Sequence, residues 1–281
     1  SWNGSSRGRR IYYKTGIIQV NPTGILAATG SGTLALLREI GYMTRLLYAV
    51  IMRSGRLVKR RALVFQQMKR IGVRSLPLIG IVSLFTGAVS AWQASYQFQM
   101  IIPKQMTFKI LGGGVHAAIL IELAPVLSGL VIAGRVGASL AAEMGTMRVT
   151  EQIDALESIA VDPIEYLALP RVTAGWTMLP VLVVFAYVIA HAGAFVVSYF
   201  LLGITSTLFL QSIQDSFITY NVFSGLVKAF VFGGGTALIG CGIGFRTKGG
   251  AEGVGGATIK SFVYSSGFIL VMDFILAVIL F

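Results

Sequence analysis

The chain has little cysteine, little histidine and few acids, and each scarcity excludes something. Cys241 stands alone in a Gly-rich apolar run, so neither a disulfide nor a paired-thiol metal site can form within one chain. His116 and His191 are the only histidines. No His-x-x-His, Glu-x-x-His or Gly-x-Ser-x-Gly arrangement surrounds them, so hydrolytic and metal chemistry lack the spacing they need. Only 11 of 281 residues are Asp or Glu and only 12% are charged, too little polar surface for a soluble fold of this size. What is there instead is 55% hydrophobic, with a mean hydropathy of +0.77. An all-α integral membrane protein follows.

The net charge of +12 is unevenly placed. Residues 1–74 carry fourteen Lys and Arg against Glu39 alone, while the rest of the chain carries nine against ten acids. A nucleic-acid partner would explain such a block, but a basic segment leading into a first membrane span is what a cytoplasmic N-terminus requires, and nucleic acid is set aside on that ground. Residues 1–33 are basic, polar and rich in Gly and Ser, with no apolar block of the signal-peptide kind, and are expected to be loosely ordered. Over residues 34–71, Leu36, Ile40, Met43 and Leu47 recur at helical spacing, with Arg38, Arg45, Arg53, Arg56 and Arg60 mainly off that face. This reads as an amphipathic interfacial helix whose Arg stems reach towards anionic headgroups, or as a face packed on a neighbouring domain.

Residues 72–281 then hold five apolar runs, near 72–95, 108–134, 171–203, 222–245 and 260–281, each long enough to span a bilayer. The charge bias puts 135–170 and 246–259 in the cytoplasm and Phe281 outside, with Lys104 and Lys109 flanking an external loop and Lys228 near the outer end of a span. No 20–50-residue period repeats.

Six of the acids, Glu143, Glu151, Asp154, Glu157, Asp162 and Glu165, fall between the second and third runs and need water there. Thr150 is placed to cap a helix through Glu151, with Val149, Ile153, Leu156 and Ala160 on one face, Glu151, Asp154 and Glu157 as an acidic stripe, and Asp162-Pro163 ending it. By pattern alone this is a solvated connector or a docking helix. Glu122 lies inside the second run, three residues before Pro125. It reads either as a neutral carboxyl bonded to the next helix or as the polar lining of a cavity or subunit interface. Gly240 and Gly244 give a GxxxG spacing for close helix packing, and the Gly-rich 245–260 segment lacks the order of a P-loop. ATP would have to bind another chain.

The passage ELAPVLSGLVIAGRVGASLAAEMGTMRVTEQIDALE, followed by VDPIEYLALPR and later by GGAEGVGG, resembles the signature of the MlaE family, permease subunits of lipid-transporting ABC systems. The resemblance covers roughly residues 60–281. It implies a homodimer of five-span subunits around a lipid cavity that moves phospholipid between envelope membranes. It further implies a separate ATPase that binds ATP and Mg, no cofactor in this chain, and an MCE-domain protein on the far side of the membrane. The 150s helix would be the coupling helix, with Glu143, Arg148, Thr150, Glu151, Asp154 and Glu157 as candidate ATPase contacts. The first two spans and the last would line the cavity, with Leu84, Val89, Trp92, Tyr96, Leu123, Leu127 and Leu130 as its wall and Glu122 as its polar station. The family's pattern carries an Arg before this Glu; here the position is Ile121, which removes an adjacent cation. The compartment implied is a bacterial inner membrane or the inner envelope of a plastid. The rival reading is an intramembrane lipid-modifying enzyme with Glu122 as acid or base.

Overall fold

In the computed structural model the described residues are 22–281, so most of the segment expected to be loosely ordered, residues 1–21, lies outside them. Every regular element among the described residues is helical. The first helix, α1 (Pro22–Met52), starts earlier than residue 34, where the interfacial pattern was expected to begin. Proline presets the dihedral of a first helical position, and Ala and Leu residues favour continuation. The chain divides within α1 into two compact units, the second being Met43–Phe281.

In that second unit a 3-10 stretch (Ser54–Arg60) leads into α2 (Arg61–Ile71) and α3 (Leu76–Gln99). Then come α4 (Lys104–Ala118), α5 (Ala124–Ile132), α6 (Ala138–Val149), the short α7 (Gln152–Ser158), α8 (Leu169–Phe200), α9 (Ser206–Asp215), α10 (Thr219–Phe245) and α11 (Gly250–Leu280). Among the described residues five helical runs are long and apolar enough to cross a membrane: Arg61–Gln99, Lys104–Val149, Ile164–Phe200, Thr219–Phe245 and Gly250–Leu280. All five overlap the expected spans, and most extend beyond them because polar residues at the ends continue the helices past the apolar core. The Gly-rich 246–259 segment expected as a loop is mostly the first turns of α11. Gly249, at φ +91, makes the left-handed turn before it, and Glu252 favours its positive N-terminus.

Small residues set the packing, since lipid gives apolar side chains no reason to leave it. On α3 the buried positions Ile79, Ser83, Gly87, Ala91 and Ser95 recur every fourth residue and face α8. A Cβ built on Gly87 would lie 1.8 Å from the Ala190 carbonyl oxygen, and one on Gly193 2.1 Å from that of Leu84, so the two backbones touch. The central helix is α10, packed on α5, α6, α8 and α11. Its Gly233 meets Gly175 of α8, and Gly240 and Gly244 of the GxxxG spacing pack on Gly137 and Met144 at the start and middle of α6. The ten-residue α9 went unforeseen. It buries Phe209 and Ser212 against Gly112 and Gly113 of α4.

Candidate functional site

The second span is interrupted twice by π-helical turns, Ile119–Leu123 and Ala133–Gly137, and the third begins with another, Ile164–Ala168. Each carries one ionic side chain: Glu122, Arg135 and Glu165. Two have a local cause in sequence, because Pro125 and Pro170 follow two residues after the turn and cannot donate to the preceding carbonyls. At Pro125 the carbonyl left over is that of Leu120. The buried Tyr187 hydroxyl donates to it at 3.0 Å.

The turn at Glu122 aims its carboxylate at α10. Lys228 Nζ donates to Glu122 Oε2 at 2.7 Å and lies 2.7 Å from Asp273 Oδ1 of α11. The Lys228 side chain is 0% exposed, that of Asp273 13% and that of Glu122 47%. So the cation is locked inside the bundle while one of its two carboxylates opens to the surface. This adds to the expectations. Glu122 has a positive partner from α10 although Ile121 replaces the adjacent Arg, and Lys228, expected near the outer end of a span, is fully buried between two carboxylates. Neither Lys228 nor Asp273 was singled out from sequence as a site residue. Lys228 had a usable signal: an unexplained cation in an apolar run needs a counter-charge.

Around Glu122 the apolar candidates divide. Leu123, Leu127 and Leu130 are half-buried on α5 and its flank, between α3 and α11. Leu84, Val89, Trp92 and Tyr96 are exposed on α3, Val89 by 63%; Val89, Trp92 and Tyr96 lie on the side turned away from α8, whereas the backbone of Leu84 touches Gly193 of α8. Leu123 and Leu127 border a void of only about 10 Å³, less than one water, between α3 and α8. Within one chain, then, these residues are half-buried or exposed and enclose no cavity large enough for a lipid. The last span is exposed along most of its length as well.

The histidines, read separately from sequence, meet. His116 Nδ1 and His191 Nε2 are 2.7 Å apart, and His191 Nδ1 lies 2.7 Å from the Tyr187 carbonyl. A carbonyl only accepts, so His191 Nδ1 carries the proton, its Nε2 accepts, and His116 Nδ1 donates. The pair is a hydrogen-bonded tie between α4 and α8.

At the other end of the second span, α7 differs in detail from its sequence reading. Thr150 does not cap it: the hydroxyl bonds back to the Thr146 carbonyl at 2.8 Å, and Glu151, at φ +59, takes the cap position. The helix ends at Ser158, and Ala160 is left-handed too. Asp162 begins the next turn, accepting from the Ile164 amide at 2.9 Å. Thus a short helix is bracketed by two non-glycine residues in left-handed geometry, a conformation costing about 1–3 kcal/mol each, found where surrounding structure or function holds it. Ile153 pins α7 onto Met144 and Leu167, leaving Glu151, Asp154 and Glu157 exposed. Arg148 pairs with Asp154 and lines a recess with Arg246, Thr247 and Lys248. Glu143 points elsewhere. It bridges Arg70 and the buried Arg171, because a carboxylate one turn deeper than the crossing needs cations more than water.

Three arginines expected at headgroups are also engaged with protein. Arg53 pairs with Asp162, Arg56 and Arg60 both pair with Glu165, and Arg60 covers the Tyr166 ring at 5.4 Å. The hydrogen bond and charge of Glu165 raise the affinity of the Arg56 guanidinium for its proton. The 3-10 stretch is thereby fastened to the turn that follows α7.

Known proteins match this arrangement over most of its length. The family model described as Permease MlaE matches residues 64–279. A probable ABC transporter permease of Synechocystis sp. is 42% identical over 81% of this chain and 84% of its own. The intermembrane phospholipid transport system permease protein MlaE of Haemophilus influenzae is 32% identical over 91% of this chain and 97% of its own. The chloroplastic protein TRIGALACTOSYLDIACYLGLYCEROL 1 of Arabidopsis thaliana is 34% identical over 75% and 59%. The Synechocystis and Haemophilus relatives are transport permeases by name, and the reading of Glu122 as an enzyme's acid or base finds no counterpart in those names. With five apolar helices among the described residues and a family match across about three of every four residues, this multi-pass membrane chain belongs to the MlaE permease family.

Proposed function

We propose that this chain is the permease subunit of an ABC transporter that moves phospholipid between membranes of a cell envelope. The observation that carries the reading is the half-exposed Glu122, a carboxylate beside the exposed apolar residues of α3 and α11. A diacyl lipid needs a broad apolar wall and a small polar contact, which these residues offer. Because they are exposed in one chain, a second copy covers them, and the working unit is a homodimer.

The motor is a separate ATPase, which binds ATP and Mg; this chain holds no nucleotide. It docks on α7, whose strained flanks and outward carboxylates fit a rigid handle. An MCE-domain protein receives or delivers the lipid on the far side, and the membrane is a bacterial inner membrane, with the plastid inner envelope as the second compartment. The name of the Haemophilus influenzae relative supports phospholipid as cargo.

In vesicles holding this permease and its ATPase, Glu151→Lys with Asp154→Lys is expected to cut stimulated ATP hydrolysis and transfer of a fluorescent phospholipid by tenfold or more, since like charges at an interface cost several kcal/mol. Thermal unfolding of the permease alone should move little, because both side chains are exposed and the Arg148–Asp154 pair lost is a surface one. Full hydrolysis and transfer in the double variant would remove α7 from the coupling surface.

A further inference from the structure

Four arginines crowd the junction between the start of the first span and the end of the second span's apolar run, and Glu143 is the one carboxylate among them. Arg70 and Arg171 share it. Among the described residues no carboxylate pairs with Arg74 or Arg135, and the residues outside the description contain no Asp or Glu. Arg70, Arg74 and Arg135 line a cavity of about 140 Å³ together with Gln67 and Ser139. Within that lining the side-chain oxygen of Gln67 is buried and has no hydrogen-bond partner. An amide turns over at little cost, so Gln67 can offer the cavity a donor or an acceptor.

Like charges held together at the edge of a low-dielectric slab repel unless an anion joins them. The π turn Ala133–Gly137 presents Arg135 to this cavity, where Ser75 receives one of its N–H groups, and the rest of the planar fork stays available. Guanidinium forks match phosphate oxygens two at a time. The volume is that of roughly four or five waters, enough for a phosphate group and not for acyl chains. Beside Arg74, Val73 and Leu78 are exposed and apolar, a surface on which chains can lie.

We infer that this cavity binds the phosphodiester of an anionic phospholipid from the leaflet at this end of the bundle, a site separate from the face around Glu122. Arg74 and Arg135 hold the phosphate oxygens, and Gln67 and Ser139 reach the ester oxygens or headgroup hydroxyls. A zwitterionic choline lipid brings its own cation into a cationic site and binds less well.

The test uses the full chain in nanodiscs of phosphatidylcholine containing a minor share of phosphatidylglycerol, with retained lipid counted by native mass spectrometry. Phosphatidylglycerol should be retained in preference, and Arg74→Gln should weaken that retention about tenfold, the worth of one charge-assisted hydrogen bond. Arg74 is exposed, so this variant folds; Ser139→Phe, which fills the cavity without touching charge, should lower retention as well. Equal retention by the parent and both variants would overturn the site. Displacement by added inorganic phosphate would overturn the lipid as its occupant and assign the cavity to a soluble phosphate. The readout is retention and not transfer, so loss of the transport reading would leave this result standing.

Discussion

Replacing Lys228 with Met should cost the protein about 3–5 kcal/mol, the usual penalty for removing one partner of a buried ionic group. The side chain is fully enclosed, and its departure leaves Glu122 and Asp273 without the cation that each contacts at 2.7 Å. Thermal unfolding in detergent should shift downwards or the variant should fail to accumulate. The triple variant Glu122→Gln, Lys228→Met, Asp273→Asn removes all three charges at nearly constant volume and should recover most of the stability, as buried ion pairs replaced by neutral groups commonly do. It should not recover phospholipid transfer, because the polar station has gone. Among the single changes, Asp273→Asn should harm folding more than Glu122→Gln, since Asp273 is the more enclosed of the two carboxylates. Parent-like unfolding of Lys228→Met would show that the three charges do not lock the Ile119–Leu123 turn, α10 and α11 together.

The second large effect is expected from adding one carbon. In Gly87→Ala the new Cβ would sit 1.8 Å from a backbone oxygen of α8, and backbone cannot rotate away as a side chain can. The α3 and α8 helices must separate along their whole contact, which should destabilise by about 1–3 kcal/mol or more. Two controls bound the result. At Gly80 a Cβ meets only the Phe185 ring at 3.5 Å, ordinary contact, and at Gly267 it meets nothing within 4 Å. Gly267→Ala should be neutral or stabilise by up to about 1 kcal/mol through helix propensity. Unfolding temperatures for the three variants in one detergent decide the matter, and equal values would mean that α3 and α8 are not in backbone contact.

What could be read from sequence followed what is local. Long apolar runs fixed the number of spans, and the acid-rich crossing was recognisable because six carboxylates cannot sit in hydrocarbon. Gly240 and Gly244 were visible as a packing face because their spacing is a property of one helix. What escaped was set by tertiary pairing. Lys228 lies 106 positions from Glu122 and Arg53 lies 109 from Asp162, distances over which periodicity says nothing. For the same reason Arg53, Arg56 and Arg60 looked like headgroup ligands: an arginine on an amphipathic stretch carries no mark of whether lipid or a carboxylate will meet it. Thr150 failed as a cap because Glu151 takes a left-handed conformation that no residue preference would assign to it.

Ribosomes deliver the charged lock one part at a time, in the order acid, base, acid. The second span must enter the bilayer with Glu122 alone, a carboxyl that can take up a proton and wait. Lys228 then arrives in the fourth span to a counter-charge already in place, so its insertion is eased by a helix made earlier. Asp273 comes only with the fifth span. A nascent chain that has not yet delivered its fifth span therefore holds a half-compensated lysine in the membrane, and the arrival of α11 supplies the second carboxylate.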